Sequence, residues 1–369
     1  MASQPTSTAS RPARRLVLAC LAACVSVLAL DSLVFRTGFY AAFLDPQSST
    51  GTFELTLRSE LDAQKRNGDR MVVTFGSSRF FWSPKVIDQR PGPHLYVLRC
   101  ASVPGTDART WYYLIRDLDP TARRYRALVF GVDDYDDEDR AFNTSDDIRV
   151  LHYAIARLRW SDTLAFTRSF DNWEARFTAL SGLLLKGTVY RRDVQEFLSN
   201  PKKRLVYVHW YDRQWANMIF NYKAPADSMA GLAIDWPTLR VTFPPGANAT
   251  QRDSVMSFLA HPPDPQTGRL AAFQRRWFGR ILDRYRGSPT KLVFLRLPRG
   301  PVPRPDNLTH KLSSSIRELA SRPNVILMDE HAFDTLERPE LFQDGMHLNR
   351  EGIERFSLLL EDEINRVLR

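Results

Sequence analysis

Two short stretches hold residue types that could do acyl-transfer chemistry together. MVVTFGSSRFFW (71–82) sets two adjacent serines after an apolar run and a glycine, and LFQDGMHLNREG (341–352) sets Asp344 three residues before His347. A serine hydroxyl attacks a carbonyl only when a base takes its proton, and an imidazole base needs a carboxylate to orient it. The Asp-x-x-His spacing lets one short loop supply both partners. Ser78, at a sharp strand-to-helix turn, would stand exposed at a sheet edge where a helix N-terminus favours developing negative charge, with Gly76 easing the backbone through the turn. A bare helix N-cap is the competing reading for Ser78, since serine is a favoured cap. Oxyanion donors would come from the backbone amides of Ser78 and Gly105, plus a polar side chain in GVDD, where Asp133 stands.

Other candidates are weaker. None of His94, His152, His209, His261, His310 and His331 has a carboxylate three residues upstream in a post-strand loop near the C-terminus; His331, in MDEHAF, is the nearest rival. Arg79, Arg296 and Arg299 sit beside the strand ends that would carry the site and could hold an anionic substrate group. Ser77 reads as a turn hydroxyl close to the substrate. The acidic run DDYDDED (133–139) lacks the glycine and distal glutamate of an EF-hand loop and reads as a solvated loop. HWYDRQW (209–215) offers aromatic faces that could stack on sugar rings, although core packing is their ordinary use. The expected site needs no metal and no cofactor.

These residues must be positioned by regular elements. Five apolar, β-branched runs flanked by turn residues read as strands: MVVTF (71–75), LYVLR (95–99), RALVFG (126–131), KLVFLRL (291–297) and NVILMD (324–329). Helical patterns separate them at 106–118 and 309–320, and another closes the chain at 349–368. Strands alternating with helices, and strands apolar throughout, predict a parallel sheet covered on both faces, an αβα architecture with sites at the carboxyl ends of the strands. Between the third and fourth strands lies an insertion at about 141–288, roughly 150 residues and too long for a crossover loop. It reads as a mainly helical subdomain or lid: a capping box at Thr144–Asp147 opening a helix to Trp160, a long helix from about 161 to 186, a strand RLVYVHW (204–210), irregular structure over 224–266 and a helix near 268–286.

Gly-x-Ser, Gly, Gly-x-Asp-Asp and Asp-x-x-His, in this order and each after a strand, resemble the blocks of the SGNH (GDSL-type) hydrolases over about 71–135 and 291–369. DGMHLNREG followed by a final helix is the most specific piece. The resemblance implies a flavodoxin-like three-layer αβα domain, Ser78 as nucleophile, His347 as base, Asp344 as its orienting carboxylate, and Ser78, Gly105 and residue 133 around the oxyanion. Two departures stand out. Ser77 occupies the place where the family carries aspartate, which leaves Ser78 as the attacking group. Asp133 replaces the family's oxyanion asparagine, and a carboxylate facing a developing oxyanion repels it unless protonated or turned away. That substitution implies either a site relying on backbone amides or a degenerate one, kept for binding or scaffolding in an envelope acylation complex.

The N-terminus bears on location. After a polar, basic stretch (1–15) comes LVLACLAACVSVLALDSLVF (16–35), whose twenty residues span about 30 Å as a helix, one membrane crossing. The expected order is a cytoplasmic tail (1–15), a signal-anchor (16–35) with Asp31 reaching the far interface, and an extracytoplasmic, periplasmic domain (36–369). A cleaved signal with a site at Val27-Leu28-Ala29 and a lipid attachment at Cys24 are the rival readings. The exported part keeps one thiol, Cys100, so no internal disulfide is expected. Asn143, Asn248 and Asn307 begin Asn-x-Ser/Thr triplets. The formal charge of +9 is spread as single arginines interleaved with acids, without a basic stripe, and argues against nucleic acid as a partner. An anchor, GSSR and a large insertion together look like the envelope branch of the SGNH superfamily. This implies the cytoplasmic membrane, an ester-bearing carbohydrate or acyl donor, and a multi-spanning O-acyltransferase as partners.

Overall fold

The computed structural model describes residues 10–132, 147–220, 226–259, 268–303 and 314–369. Five parallel strands form the central sheet: β1 (Met71–Phe75), β2 (Val97–Cys100), β3 (Ala127–Val132), β6 (Lys291–Arg296) and β7 (Val325–Leu327), in spatial order β2-β1-β3-β6-β7. All five expected strands are there, each end within two residues of its expected run; β7 starts one residue and stops two residues inside it. β1 and β3 are buried at every position, as continuous apolar runs in a doubly covered parallel sheet should be.

The period-2 alternation of the strands divides the core between two faces. Met71, Val73, Phe75, Leu128, Phe130, Leu292 and Phe294 pack with the helices Ser49–Asn67, Ala108–Leu118 and Arg269–Arg284. Val72, Ala127, Val129, Val293 and Leu295 pack with the helices Pro84–Asp88 and Arg350–Leu368. The chain is therefore α/β, with helices on both sides of a parallel sheet. The helix Ser49–Asn67, absent from the sequence reading, starts where the Ser48 side chain accepts from the Gly51 amide.

The insertion is helical in the main, with a small antiparallel hairpin of β4 (Ala233–Asp235) and β5 (Arg240–Thr242). Four of its expected elements differ. The stretch 224–266, expected to be irregular, carries that hairpin and a three-turn helix, Ala249–Leu259. RLVYVHW lies inside a helix, Pro201–Phe220, where Arg204 and Tyr211 are buried seven residues apart and Leu205 and Val206 are exposed. A strand would have alternated these sides; Pro201 starts a helix comfortably because its missing N–H has no partner there anyway. The single helix expected over 161–186 is broken into Thr163–Thr167 and Trp173–Leu184, the second capped by Asn172, whose Oδ1 accepts from the Ala175 amide at 2.7 Å. Of the Thr144–Asp147 box only Asp147 is within the described residues; the helix behind it, Arg149–Ala154, is short. The described part is no detached lid, because Val150, Leu151, Phe166, Phe170 and Trp277 join the same buried cluster as β1, β3 and β6.

One N-terminal helix, Ser10–Phe35, is long and apolar enough to cross a membrane. Asp31 does not reach outward from it. Its carboxylate is buried and accepts from the backbone amides of Lys186 (3.1 Å) and Gly187 (2.7 Å), at the start of the helix Lys186–Ser199.

Candidate active site

The carboxyl ends of β1 and β3 are shaped by one phenyl ring. After Phe75 the chain makes a tight turn, Phe80 N–H donating to the Ser77 carbonyl at 3.1 Å, and Phe80 folds back over the sheet. A Cβ on Gly76 would lie 2.4 Å from Phe80 Cβ, and one on Gly131 would lie 2.4 Å from Phe80 Cδ1. Glycine is thus required at 76 for space; its φ is not positive, so the conformational reason expected from the sequence does not apply. The next helix starts only at Pro84, so Ser78 is not an N-cap and has no helix N-terminus behind it. It protrudes from a turn, half-buried.

The opposing loop is held with similar definition. Phe342 and Leu348 form an antiparallel bridge, and Gln343 N–H donates to the His347 carbonyl at 2.9 Å, closing a tight 343–347 loop. Behind it Asn349 caps the C-terminal helix, its Oδ1 accepting from Gly352 N–H at 3.0 Å while its Nδ2 donates to the Glu340 carbonyl at 2.7 Å. A Cβ on Gly352 would meet the Leu341 carbonyl oxygen at 2.3 Å, so that glycine permits a close approach of helix and loop. The HLNREG string is explained by this packing.

These two loops bring Ser78, His347 and Asp344 together. Ser78 Oγ is 2.9 Å from His347 Nε2, and His347 Nδ1 is 2.9 and 3.1 Å from the two carboxylate oxygens of Asp344. Asp344 Oδ1 also accepts from the amides of Met346 and His347, both at 2.8 Å. Burial is the largest single influence on this carboxyl and favours its neutral form. The hydrogen bond and charge of His347, with the two amides, outweigh it and hold the carboxyl below its ordinary range. An ionised carboxylate only accepts, so Nδ1 carries the imidazole proton and Nε2 offers its lone pair to Ser78. That is the tautomer a base for the serine requires.

The loop after β2 is tied to the same turn. Val103 N–H donates to the Gly76 carbonyl at 3.1 Å, and Thr106 Oγ1, itself accepting from Trp111 Nε1 at 2.9 Å, donates to the Val103 carbonyl at 2.6 Å. Gly105 adopts φ +70° in this loop, and a Cβ there would sit 3.0 Å from the Tyr153 hydroxyl, which donates to the Pro104 carbonyl. Asp133 and the whole DDYDDED run lie outside the described residues. Among the described residues no cluster of three or more metal-ligating side chains occurs.

The remaining expected residues do other things. Ser77 is half-buried, and its Oγ accepts from Arg79 N–H at 3.4 Å, a turn contact. Arg79 donates to the carbonyls of Pro298 (2.6 Å) and Arg299 (3.1 Å), joining the β1 turn to the segment after β6. Arg296 and Arg299, expected to face an anionic substrate, are instead buried against acids. Arg296 bonds Asp334 and Glu337, and Arg299 donates through its amide and Nε to Glu337 (2.9 Å) and through Nη2 to Asp334 (3.1 Å). Taking a guanidinium out of water is costly, so a buried one carries its own counter-charges, and neither acid was recognised from the sequence.

Residues overlooked in the sequence also hold the loop. The insertion helix Ala249–Leu259 grips it on both sides of Asp344: Gln251 Nε2 donates to the Gln343 carbonyl at 2.9 Å, and Ser254 Oγ accepts from Gly345 N–H at 3.1 Å. Met229 N–H adds a bond to the Phe342 carbonyl at 3.0 Å. The readable signal was Asn248-x-x-Gln251, whose side chains exchange bonds with each other's backbone amides as a helix-start box. It marked a helix start, with nothing to indicate what the helix would touch.

The chain is thus an α/β protein with a five-stranded parallel sheet that carries a hydrogen-bonded Ser–His–Asp arrangement at its carboxyl edge. No protein-family model matches it, and no curated protein matches it.

Proposed function

We propose that the protein is a serine-dependent acyl-ester hydrolase or O-acyltransferase of the SGNH (GDSL-type) kind. The observation carrying this reading is the unbroken path Ser78 Oγ–His347 Nε2/Nδ1–Asp344, with all contacts within 3.1 Å. The strand order β2-β1-β3-β6-β7, which is the flavodoxin-like order 2-1-3-4-5 for the five sheet strands, supports it. In the proposed reaction Ser78 Oγ attacks the ester carbonyl as its proton passes to His347 Nε2. Asp344 stabilises the imidazolium, and His347 then returns the proton to the leaving alkoxide. The acyl-enzyme is released to water or to a carbohydrate hydroxyl by the same steps in reverse. The anchor helix supports an envelope location with residues after 36 on the extracytoplasmic, periplasmic side. Ester-bearing carbohydrates or lipid acyl donors are then the substrates, with a multi-spanning O-acyltransferase as a working partner.

A fluorophosphonate probe tests the nucleophile on the full-length chain. Wild type should label and Ser78→Ala should not; equal labelling of both, or of neither, would remove Ser78 from the mechanism. The second reading, a scaffold without turnover, is favoured by the aspartate in GVDD. Asp133→Asn separates the two: an increased esterase rate assigns residue 133 to the oxyanion and turnover to the site.

A further inference from the structure

Outside the N-terminal helix, several of the large exposed apolar side chains fall in residues 160–184. Trp160, Leu164, Trp173, Phe177 and Leu184 all face outward, Trp173 at 78% and Phe177 at 63% exposure. In the helix Trp173–Leu184 the buried positions are Ala175, Ala179, Gly182 and Leu183, so Trp173, Phe177 and Leu184 make a stripe on the opposite side at helical spacing. A helix with water on that side would carry polar residues there.

Three contacts put this surface at the level where the N-terminal helix ends. Arg36, the next residue after that helix, donates to the carbonyls of Leu183 and Leu184, and its guanidinium lies 3.5 Å over the Trp160 ring. Asp31 caps the helix that begins at Lys186. Phe35 stacks on Tyr190 with ring centroids 5.1 Å apart. The two ends of the exposed surface, Trp160 and Leu184, are therefore each one side chain away from the last turn of the membrane-type helix. Arg159 and Arg168 are exposed within the same segment, and tryptophan beside arginine suits the boundary between headgroups and acyl chains.

We propose that Trp160, Leu164, Trp173, Phe177 and Leu184 rest in the interface of the same bilayer that Ser10–Phe35 enters. This second, monotopic contact holds the globular part in one orientation on the membrane. The inference rests on the reading of the N-terminal helix as membrane-spanning. The occupant is lipid because this surface is continuous with the end of that helix, where lipid already surrounds the chain; a second copy would have to displace it.

The test is photo-crosslinking of the full-length chain, one molecule per phosphatidylethanolamine/phosphatidylglycerol nanodisc, with a diazirine in the lipid acyl chain and peptide mapping by mass spectrometry. Crosslinks are expected in 16–33 and in 160–184. Trp173→Ser/Phe177→Ser should lose those in 160–184, keep those in 16–33 and melt as wild type does, since both side chains are exposed. Crosslinks in 16–33 without any in 160–184 would overturn this proposal and leave the anchor intact. Absence of both would overturn the anchor reading and this one together.

Discussion

Two histidine–aspartate pairs lie a few residues apart in the chain, and they serve different ends. His347 Nδ1 meets Asp344 at 2.9 Å, and His331 Nδ1 meets Asp334 at 2.7 Å, both across three residues. Asp344 spends its remaining capacity on two backbone amides, which fix its position without adding a full charge. Asp334 spends its own on two buried guanidiniums, those of Arg296 and Arg299. Burial pushes each carboxyl up most strongly, and each is nonetheless held low: Asp344 by His347 and the amides, Asp334 by Arg296 and His331. The decisive difference is the far nitrogen of the imidazole. His347 turns Nε2 to a serine hydroxyl at 2.9 Å, with a quarter of its side chain open, whereas the His331 side chain is half exposed at the rim of an ion cluster. A histidine–carboxylate pair becomes a base through what lies on its outer side.

Substitutions can break this comparison in order of size. His347→Gln or Ser78→Ala should lower esterase kcat by about 10⁴-fold or more, since members of such a unit fail together; His331→Gln should leave kcat within about twofold and set the control. Asp344→Asn should cost roughly 10³–10⁴ in kcat with little change in KM, because the amide no longer selects the Nδ1–H tautomer. If Asp334→Asn cost as much, the division between the pairs would collapse. Glu337→Ala should instead act on stability. It removes the main partner of a buried arginine and should cost about 3–5 kcal/mol, read as a fall in denaturation midpoint, with probe labelling of the folded fraction unchanged. Ser254→Ala should loosen the Asp344 loop by about 1 kcal/mol, seen as a severalfold loss in kcat at unchanged KM.

A control outside both pairs uses pH. Burial is the main reason the Lys186 ammonium is pushed down to about 7. Between that value and the ordinary lysine range the unfolded chain binds the proton and the folded chain does not, so stability should rise with pH across this window. Lys186→Met should flatten that rise in melting temperature while leaving labelling at Ser78 unaltered.

The sheet was legible because buried parallel strands advertise themselves: MVVTF and KLVFLR have no polar face to misread. The pair Asp344/His347 was legible because its three-residue spacing already brings the groups within one loop. RLVYVHW misled because β-branched and aromatic residues suit a strand, while burial recurs at Arg204 and at Tyr211, just past the run, and the preceding Pro201 sits where a helix can start. Arg296 and Arg299 misled for a different reason. Their position at a strand end was read correctly, but their partners Asp334 and Glu337 lie some 35 to 41 residues on, and no local pattern announces a long-range ion pair. Ser254 and Gln251 were invisible on the same account, being 91 and 92 residues from the loop they hold.

The 269 residues between Ser78 and His347 also set an order of events. A growing chain makes Ser78 early and His347 late, after the insertion whose helix Ala249–Leu259 contacts the 343–347 loop. Under the proposed function, Ser78 gains its base only after the 343–347 loop, made some 269 residues later, has docked beside it.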